Sequence, residues 1–333
     1  MIRCLQAALA VTVAFAVWLV GFSPGSDEPA VLPDTSEQFS LDLEVVATAE
    51  APLVYAVEQR ARPDYRILRL DPTTGDVETI FTVPEDAIIY GIDVDATGSV
   101  LAIAYSPDLS LDGSGLWTFD MATDDLTQVA PVVPGTYLTD PGWGENGDEI
   151  LATRVDRSAD DEQLDAVGID IETGAVEVIA TDAVAPTDDG GLVHYLGVEP
   201  DTAARQSVHT LDRTTGTDTV VASGEVDLDH LVTVADALVV AVLDSDDTTG
   251  GLTLGTPAAA HGSHDIPSTW WTISADALSG PASEDPESSL VYDADAAAET
   301  IVSATREGLT IGGETPIRLI ASRALRFVTI ADS

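Results

Sequence analysis

Apolar and polar residues follow one another along this chain in short runs that are typical of β-strands. Segments such as YRILRLD (65–71) and VETIFTV (77–83) are alternating or continuous apolar runs, and Gly-, Asp- and Thr-rich stretches separate them. Short apolar runs bounded by turn residues indicate strands joined by tight hairpins. The pattern therefore predicts an all-β protein.

One turn phrase recurs between these runs, with an Asp at its start and, in three of four copies, a Gly at its end. The Asp residues of the four copies are separated by 49, 50 and 42 positions, and they are Asp71, Asp120, Asp170 and Asp212. Strand-rich repeats with a period of about 40 to 50 residues indicate a β-propeller, in which each repeat is one four-stranded blade.

The repeat also predicts the number of blades. Segments 41–49, 52–58, 65–71 and 77–83 form the first four predicted strands. At about 45 residues per blade, residues 41–333 accommodate six or seven blades. Six are favoured, over 41–83, 86–133, 137–181, 190–222, 226–282 and 288–321, with 325–330 as a strand that closes the ring.

Two strand–turn–strand segments carry a resemblance to a known family. Residues 92–104 contain the turn Asp95-Ala96-Thr97-Gly98, and residues 143–153 contain Glu145-Asn146-Gly147-Asp148. Both resemble the repeat of TolB-like and WD-like β-propellers, in which a Ser-Pro-Asp-Gly-like turn precedes an apolar strand. The resemblance covers about residues 50 to 222 and weakens afterwards. It implies a rigid platform whose loops carry the function.

Charge restricts the environment and the partners. The chain has 58 acidic and 13 basic residues, all of the latter Arg, and a net charge of −45. Repulsion on this scale is screened at about 1 M salt, where the Debye length is about 3 Å, and the composition resembles that of proteins from extreme halophiles. A basic patch for nucleic acid is absent from the sequence, so nucleic acid is not an expected partner. Weak, non-specific binding of inorganic cations is expected.

The N-terminus predicts a location outside the cytoplasm. Residues 4–22 are uncharged and as a helix would span about 28 Å, close to the hydrocarbon thickness of a bilayer. Residues 1–22 are therefore interpreted as a membrane anchor or a signal peptide. Residues 23–40 form an acidic, Pro- and Ser-rich tether, and 41–333 the propeller domain. Both interpretations place the domain outside, either tethered to the membrane or secreted.

The longest interruption of the repeat, residues 244–269, is the main candidate for recognition. Loops of this length inside compact domains are functional or disordered. It contains a possible pair of metal ligands with an acid beside them, but a solvated loop is the simpler interpretation. Its candidate residues are His261, His264, Asp265, Asp244, Asp246 and Asp247. Trp270 and Trp271 follow and are expected to belong to the core rather than to a sugar-stacking platform.

Asp93 and Asp95 match the first half of a calcium loop. The match fails at the twelfth position, where Ala104 replaces the bidentate Glu, so a plain hairpin is favoured over a calcium site.

Catalytic signatures are missing from the sequence. A Gly-x-Ser-x-Gly pattern occurs only at residues 21–25, at the end of the predicted anchor and not at a strand-to-helix turn, and the sequence contains no phosphate-binding loop and no dinucleotide fingerprint. The expected function is a non-catalytic binding or scaffolding module, without a cofactor, for an unknown protein or small solute. The alternative is a hydrolase or lyase with its site in the central channel.

Overall fold

A computed structural model describes the strands and most turns of the propeller domain. The described residues are 52–61, 64–84, 86–108, 111–158, 163–199, 205–224, 227–234, 237–243, 268–274, 277–279, 291–297, 300–305, 308–311, 317–319 and 325–330. Over these ranges no helix is long and apolar enough to cross a membrane. Residues 4–22, predicted as an anchor or signal peptide, lie outside them.

The described strands form six antiparallel sheets of four strands each. The first sheet contains β1 (Val54–Ala61), β2 (Asp64–Asp71), β3 (Asp76–Thr82) and the final strand β24 (Leu325–Ile330). The second contains β4 (Ile88–Val94), β5 (Val100–Ser106), β6 (Gly115–Asp120) and β7 (Asp125–Ala130). The third contains β8 (Thr136–Trp143), β9 (Glu149–Asp156), β10 (Gln163–Asp170) and β11 (Val176–Thr181).

The remaining three sheets repeat the same order. The fourth contains β12 (Ala183–Asp189), β13 (Leu192–Val198), β14 (Arg205–Asp212) and β15 (Thr217–Ser223). The fifth contains β16 (Asp227–Val234), β17 (Ala237–Leu243), β18 (Ser268–Ser274) and β19 (Ala277–Ser279). The sixth contains β20 (Val291–Ala297), β21 (Thr300–Thr305), β22 (Gly308–Ile311) and β23 (Ile317–Leu319).

The innermost strands of the sheets contact one another in a closed cycle. The contacts run from β4 to β8, β12, β16, β20 and β24, and β24 then contacts β4. Four-stranded antiparallel sheets arranged radially in this way are the architecture of a β-propeller. The predicted all-β propeller fold is therefore supported.

The ring closes through strand β24. It pairs antiparallel with β1, and Ile330 lies opposite Val54. The prediction that residues 325–330 form the closing strand is confirmed. The prediction that 41–83 supply all four strands of the first blade is wrong, because β24 occupies the inner place of that sheet. Segment 41–49 lies outside the described residues.

The repeated Asp residues shape the hairpins between the third and fourth strands of four sheets. Asp71 Oδ1 accepts the backbone N–H of Thr73 at 2.8 Å, and Asp212 Oδ1 accepts that of Thr214 at 2.8 Å. A short carboxylate that binds backbone N–H groups two or three residues later mimics a backbone turn. Gly75 and Gly216 end these turns with φ of 79° and 69°, values that favour glycine.

Sequence periodicity missed strand β12. Its sequence AVAPTDD contains Pro186 and two acids, and the predicted units left 182–189 out. The strand is innermost in its sheet, so one of its edges forms no backbone hydrogen bonds to a neighbouring strand. A Pro, which lacks the N–H donor, is tolerated in such a position. The register shifts between Val184 and Thr187, and likewise between Thr139 and Gly142 around Pro141 of β8. Both inner strands therefore bulge at a Pro.

The meander defines two faces of the ring. The hairpin turns between first and second strands and between third and fourth strands lie on one side, called here the turn face. The links between second and third strands, and those from one sheet to the next, lie on the other side, called the connector face. Because β17 leads to β18, the predicted recognition segment is attached to the connector face.

Candidate functional site

Most of the predicted site residues lie outside the described part of the chain. These are His261, His264, Asp265, Asp244, Asp246 and Asp247. Strand β18 begins at Ser268, so the last two residues of the predicted insertion belong to the strand. Trp270 and Trp271 are also positions of β18, opposite Ala241 and Val240 of β17.

Asp95, one of the two calcium candidates, organises the hairpin turn between β4 and β5. Its Oδ1 accepts the backbone N–H groups of Ser99 and Val100, each at 2.7 Å, and its Oδ2 accepts the Thr97 hydroxyl. Across the described ranges, no three His, Cys, Asp or Glu side chains converge to form a metal site.

Asp93, the other candidate, joins three sheets at the inner edge of the ring. Its Oδ1 accepts the hydroxyl of Thr329 from the closing strand at 2.6 Å. Its Oδ2 accepts the backbone N–H of Trp143 in the third sheet at 2.6 Å. Both carboxylate oxygens therefore bind protein donors that hold neighbouring sheets together.

Backbone hydrogen bonds join three connector segments of sheets two and three. Gly135 donates to the carbonyl of Asp112 at 2.5 Å, and Arg157 donates to the carbonyl of Gly135 at 2.7 Å. Buried Ser114 both donates to the Leu138 carbonyl and accepts the Leu138 N–H, at 2.8 and 2.7 Å. These bonds fix the backbone of loops that would otherwise be independent, so the surface above them is preorganised.

Aromatic and charged side chains cluster on this backbone platform. The Tyr90 and Tyr137 rings meet edge to face with their centroids 5.5 Å apart, and the Arg157 guanidinium lies 5.0 Å from the Tyr137 ring centroid. Tyr137 donates its hydroxyl to Asp112 at 2.6 Å. Burial, followed by the hydrogen bond to Asp112, raises the pKa of Tyr137 to about 12, so the phenol remains a donor at neutral pH.

Two exposed apolar side chains lie in the same connector segments. Leu111 adjoins Asp112, and Val133 precedes Gly135 in the link from sheet two to sheet three; they are 41% and 48% exposed. The cluster called here the connector patch consists of Tyr90, Leu111, Asp112, Val133, Tyr137 and Arg157. It combines apolar area, ring faces, a cation and an acid, the mixture typical of recognition surfaces.

Close approach of sheets two and three makes the patch possible. A side chain at Gly91, next to Tyr90, would place its Cβ 2.5 Å from Pro141 Cδ and 3.0 Å from the Asp140 backbone nitrogen. Only glycine permits this approach of β4 to β8. Sequence reasoning missed the patch because its members come from four separate segments, each without a motif of its own.

A second polar network lies on the fourth sheet, away from the patch. Ser207 and His209 occupy alternate positions of β14, and Ser207 Oγ lies 2.9 Å from His209 Nε2. His209 Nδ1 lies 3.2 Å from Asp218 Oδ2, and the Tyr195 hydroxyl donates to the same oxygen at 2.8 Å. The Tyr195 and His209 rings stack at 4.9 Å with planes 15° apart. The network connects three strands, so the sequence showed no sign of it.

Structural comparison defines the class of protein as the β-propellers. TolB from Acinetobacter baumannii matches with a TM-score of 0.61 at 13% identity, over 85% of this chain and 67% of that one. The propeller domain of the Trilobed protease from Pyrococcus furiosus matches with a TM-score of 0.51 at 11% identity, over 80% and 78% of the two chains. The tricorn protease matches with a TM-score of 0.50 at 10% identity, over 82% of this chain and 30% of the protease.

The particular likeness is to TolB-like propellers, and it is one of fold. No family model matches the sequence, and no curated protein sequence matches it significantly. The likeness to these neighbours shows the fold alone, so the choice between binding and catalysis depends on the site itself.

Proposed function

We propose that this chain is a binding or scaffolding module whose recognition surface is the connector patch. The observation that carries the proposal is the patch itself, an apolar, aromatic and charged surface on hydrogen-bonded loops of a rigid ring. Preorganised aromatic and Arg side chains supply most of the free energy at typical interfaces. The partner is a protein segment or a small solute with both apolar and polar groups.

The proposal includes the biological setting expected from the sequence. The module is a six-bladed propeller, held outside the cytoplasm by residues 1–22 and 23–40, or secreted, in a high-salt environment. Segment 244–267 adds to the recognition surface in this proposal, since it links β17 to β18 and links between second and third strands lie on the connector face. Loops on one face of a propeller can contact a single partner together.

Site-specific photo-crosslinking tests this proposal in intact cells. A photoreactive amino acid at Leu111 is compared with one at Val77, a residue of equal exposure on the outer strand β3. We expect a discrete adduct, detected by intact mass, from position 111 and none from position 77. Adding Tyr137→Ala and Arg157→Ala should remove the adduct. Equal adducts at both positions, or adducts that survive the two substitutions, would contradict the proposal.

Loop shortening tests the contribution of the insertion. Replacing 244–267 with a Gly-containing hairpin turn should leave folding nearly unchanged, because loop-closure entropy changes by about 0.6 kcal/mol per doubling of length. The adduct at position 111 should become weaker. Unfolding of the shortened chain would show that the segment is structural, and an undiminished adduct would show that the patch acts alone.

A further inference from the structure

In the Ser207–His209–Asp218 network, a serine contacts a histidine and the histidine contacts a carboxylate, the arrangement that activates a serine hydroxyl. A nucleophilic hydroxyl needs a base within hydrogen-bond reach, and that base needs a third group that orients it. Ser207 Oγ to His209 Nε2 is 2.9 Å, and His209 Nδ1 to Asp218 Oδ2 is 3.2 Å. Both conditions are met on one face of the fourth sheet.

The carboxylate decides which ring nitrogen carries the proton. Asp218 offers only acceptor oxygens when ionised, so it selects the His209 tautomer with hydrogen on Nδ1. Nε2 then has a free lone pair that accepts the Ser207 hydroxyl hydrogen. This is the direction of proton transfer that a general base requires.

Tyr195 holds the imidazole in this orientation. Its ring stacks on His209 with centroids 4.9 Å apart, and its hydroxyl donates to Asp218 Oδ2 at 2.8 Å. Burial and the bond to Asp218 raise the pKa of Tyr195, so the phenol stays protonated and keeps donating. Tyr195 is a positioning residue, because it acts through His209 and Asp218.

Gly197 provides the space in which Ser207 and His209 meet. It lies opposite Ser207 in the register of β13 and β14. A Cβ at this position would lie 2.5 Å from Ser207 Oγ and 2.7 Å from His209 Nε2. The absence of a side chain on Gly197 is therefore a condition for the hydrogen bond between the two.

Solvent reaches the network. The side chain of His209 is 19% exposed and that of Asp218 is 43% exposed, while Ser207 is half-buried. A network that served packing alone would not need an accessible base.

We propose that Ser207 is an activated nucleophile that accepts acyl groups from small neutral or cationic carboxylic esters. The Oγ–C bond forms and the ester C–O bond breaks. The Ser207 proton passes to His209 Nε2 and then to the departing alcohol. A water molecule deprotonated by His209 then bonds to the acyl carbon, the Oγ–C bond breaks, and the proton on His209 returns to Ser207 as the acid leaves. The carboxylate of Asp218, 43% exposed and 3.2 Å from His209, disfavours anionic esters. The site is separate from the connector patch.

Covalent labelling of the full-length protein in molar salt tests the proposal. The probe is a fluorophosphonate, which loses fluoride when a serine oxygen bonds to phosphorus. We expect one label per chain, located on Ser207 by peptide mass. Ser207→Ala should abolish it, and His209→Gln should slow it by about 10²-fold, the scale of general-base assistance.

Two further variants separate reactivity from a structural role. Ser158→Ala removes an exposed serine that bonds to Asp156 and has no His partner, and it should label like the parent. Gly197→Ala should slow labelling although Ser207, His209 and Asp218 are all retained. An initial burst of one equivalent of p-nitrophenol from p-nitrophenyl acetate, followed by slower turnover, should show the same order among the variants.

Circular dichroism in the same salt confirms that each variant is folded. No label on the folded parent, or equal labelling rates for the parent and His209→Gln, would overturn the proposal. Either result leaves the crosslinking test of the connector patch unaffected, since that test measures binding at a different surface.

Discussion

Thr329 donates its hydroxyl to Asp93 over 2.6 Å, although the two residues are 236 positions apart in the chain. Thr329 belongs to the last strand, β24, and Asp93 to the inner strand of the second sheet. The bond therefore joins the strand that completes the first sheet to its neighbour. The backbone N–H of Val94 also donates to the Thr329 hydroxyl, at 3.2 Å.

Thr329→Val should destabilise the closed ring. The substitution keeps the shape of the side chain but removes the donor to Asp93 and the acceptor for Val94, in a buried position. Loss of one partner of a buried polar pair costs about 1 to 3 kcal/mol of unfolding free energy. Urea unfolding in molar salt measures the effect. The control is Thr127→Val, at an exposed position of outer strand β7, which should change the unfolding free energy by less than about 0.5 kcal/mol. Equal losses of unfolding free energy in the two variants would show that the bond between Thr329 and Asp93 contributes nothing to stability.

Acidification should weaken the repeated turns. Hydrogen bonds from Thr residues lower the pKa of Asp71, Asp170 and Asp212 below the ordinary 3.8. A carboxyl whose pKa is lower in the folded state stabilises the fold above the ordinary pKa. That contribution disappears as the pH falls through the lower, folded value.

The variant with Asn at these three positions provides the comparison. The Asn carbonyl can accept the same backbone N–H groups but does not titrate. The difference in unfolding free energy between parent and variant should shrink as the pH falls from about 5 to about 2. Protonation of the other acids reduces repulsion in both proteins and largely cancels in the difference. A difference that does not change with pH would show that the turn carboxylates are not linked to stability.

Low salt should unfold the protein. The net charge of −45 acts over a Debye length of about 30 Å at 0.01 M salt and about 3 Å at 1 M. Repulsion among surface carboxylates therefore grows on dialysis, and strand signal in circular dichroism should be lost and then recovered when salt is restored. A melting temperature that is unchanged at about 0.01 M would contradict the halophilic interpretation.

Residues 1–22 should hold the domain outside the cytoplasm. Protease added to intact cells should degrade the propeller while a cytoplasmic marker survives, because short loops flanked by positive charge stay inside. Deleting 1–22 should leave the chain inside the cell. Mass spectrometry of the N-terminus separates an uncleaved anchor from a signal peptide. A propeller that is protected until the cells are lysed would contradict both interpretations.

Local chemistry was sufficient to predict most of the strands and turns of this fold. Asp71 and Gly75 mark a hairpin because a short acceptor and a residue tolerant of positive φ are needed within one turn. The spacing of such turns predicted the propeller, and the apolar run at 325–330 predicted the closing strand. Residues 244–269 were recognisable as an interruption of the repeat, and their role stays a prediction.

Only the tertiary structure showed which residues meet. Strand β12 was not predicted because Pro186 argues against a strand within a sheet. A Pro is tolerated there because β12 lies at the open inner edge of its sheet, and that edge forms only in the folded ring. Tyr90, Tyr137 and Arg157 come together because the strands of sheets two and three converge at Gly91. Ser207, His209 and Asp218 meet through the register of β14 and β15.

The sequence by itself determined the repeating hairpins, since these depend on neighbours along the chain. The contacts between sheets were decided by the folded ring, because the partners are distant in sequence and no local preference encodes them.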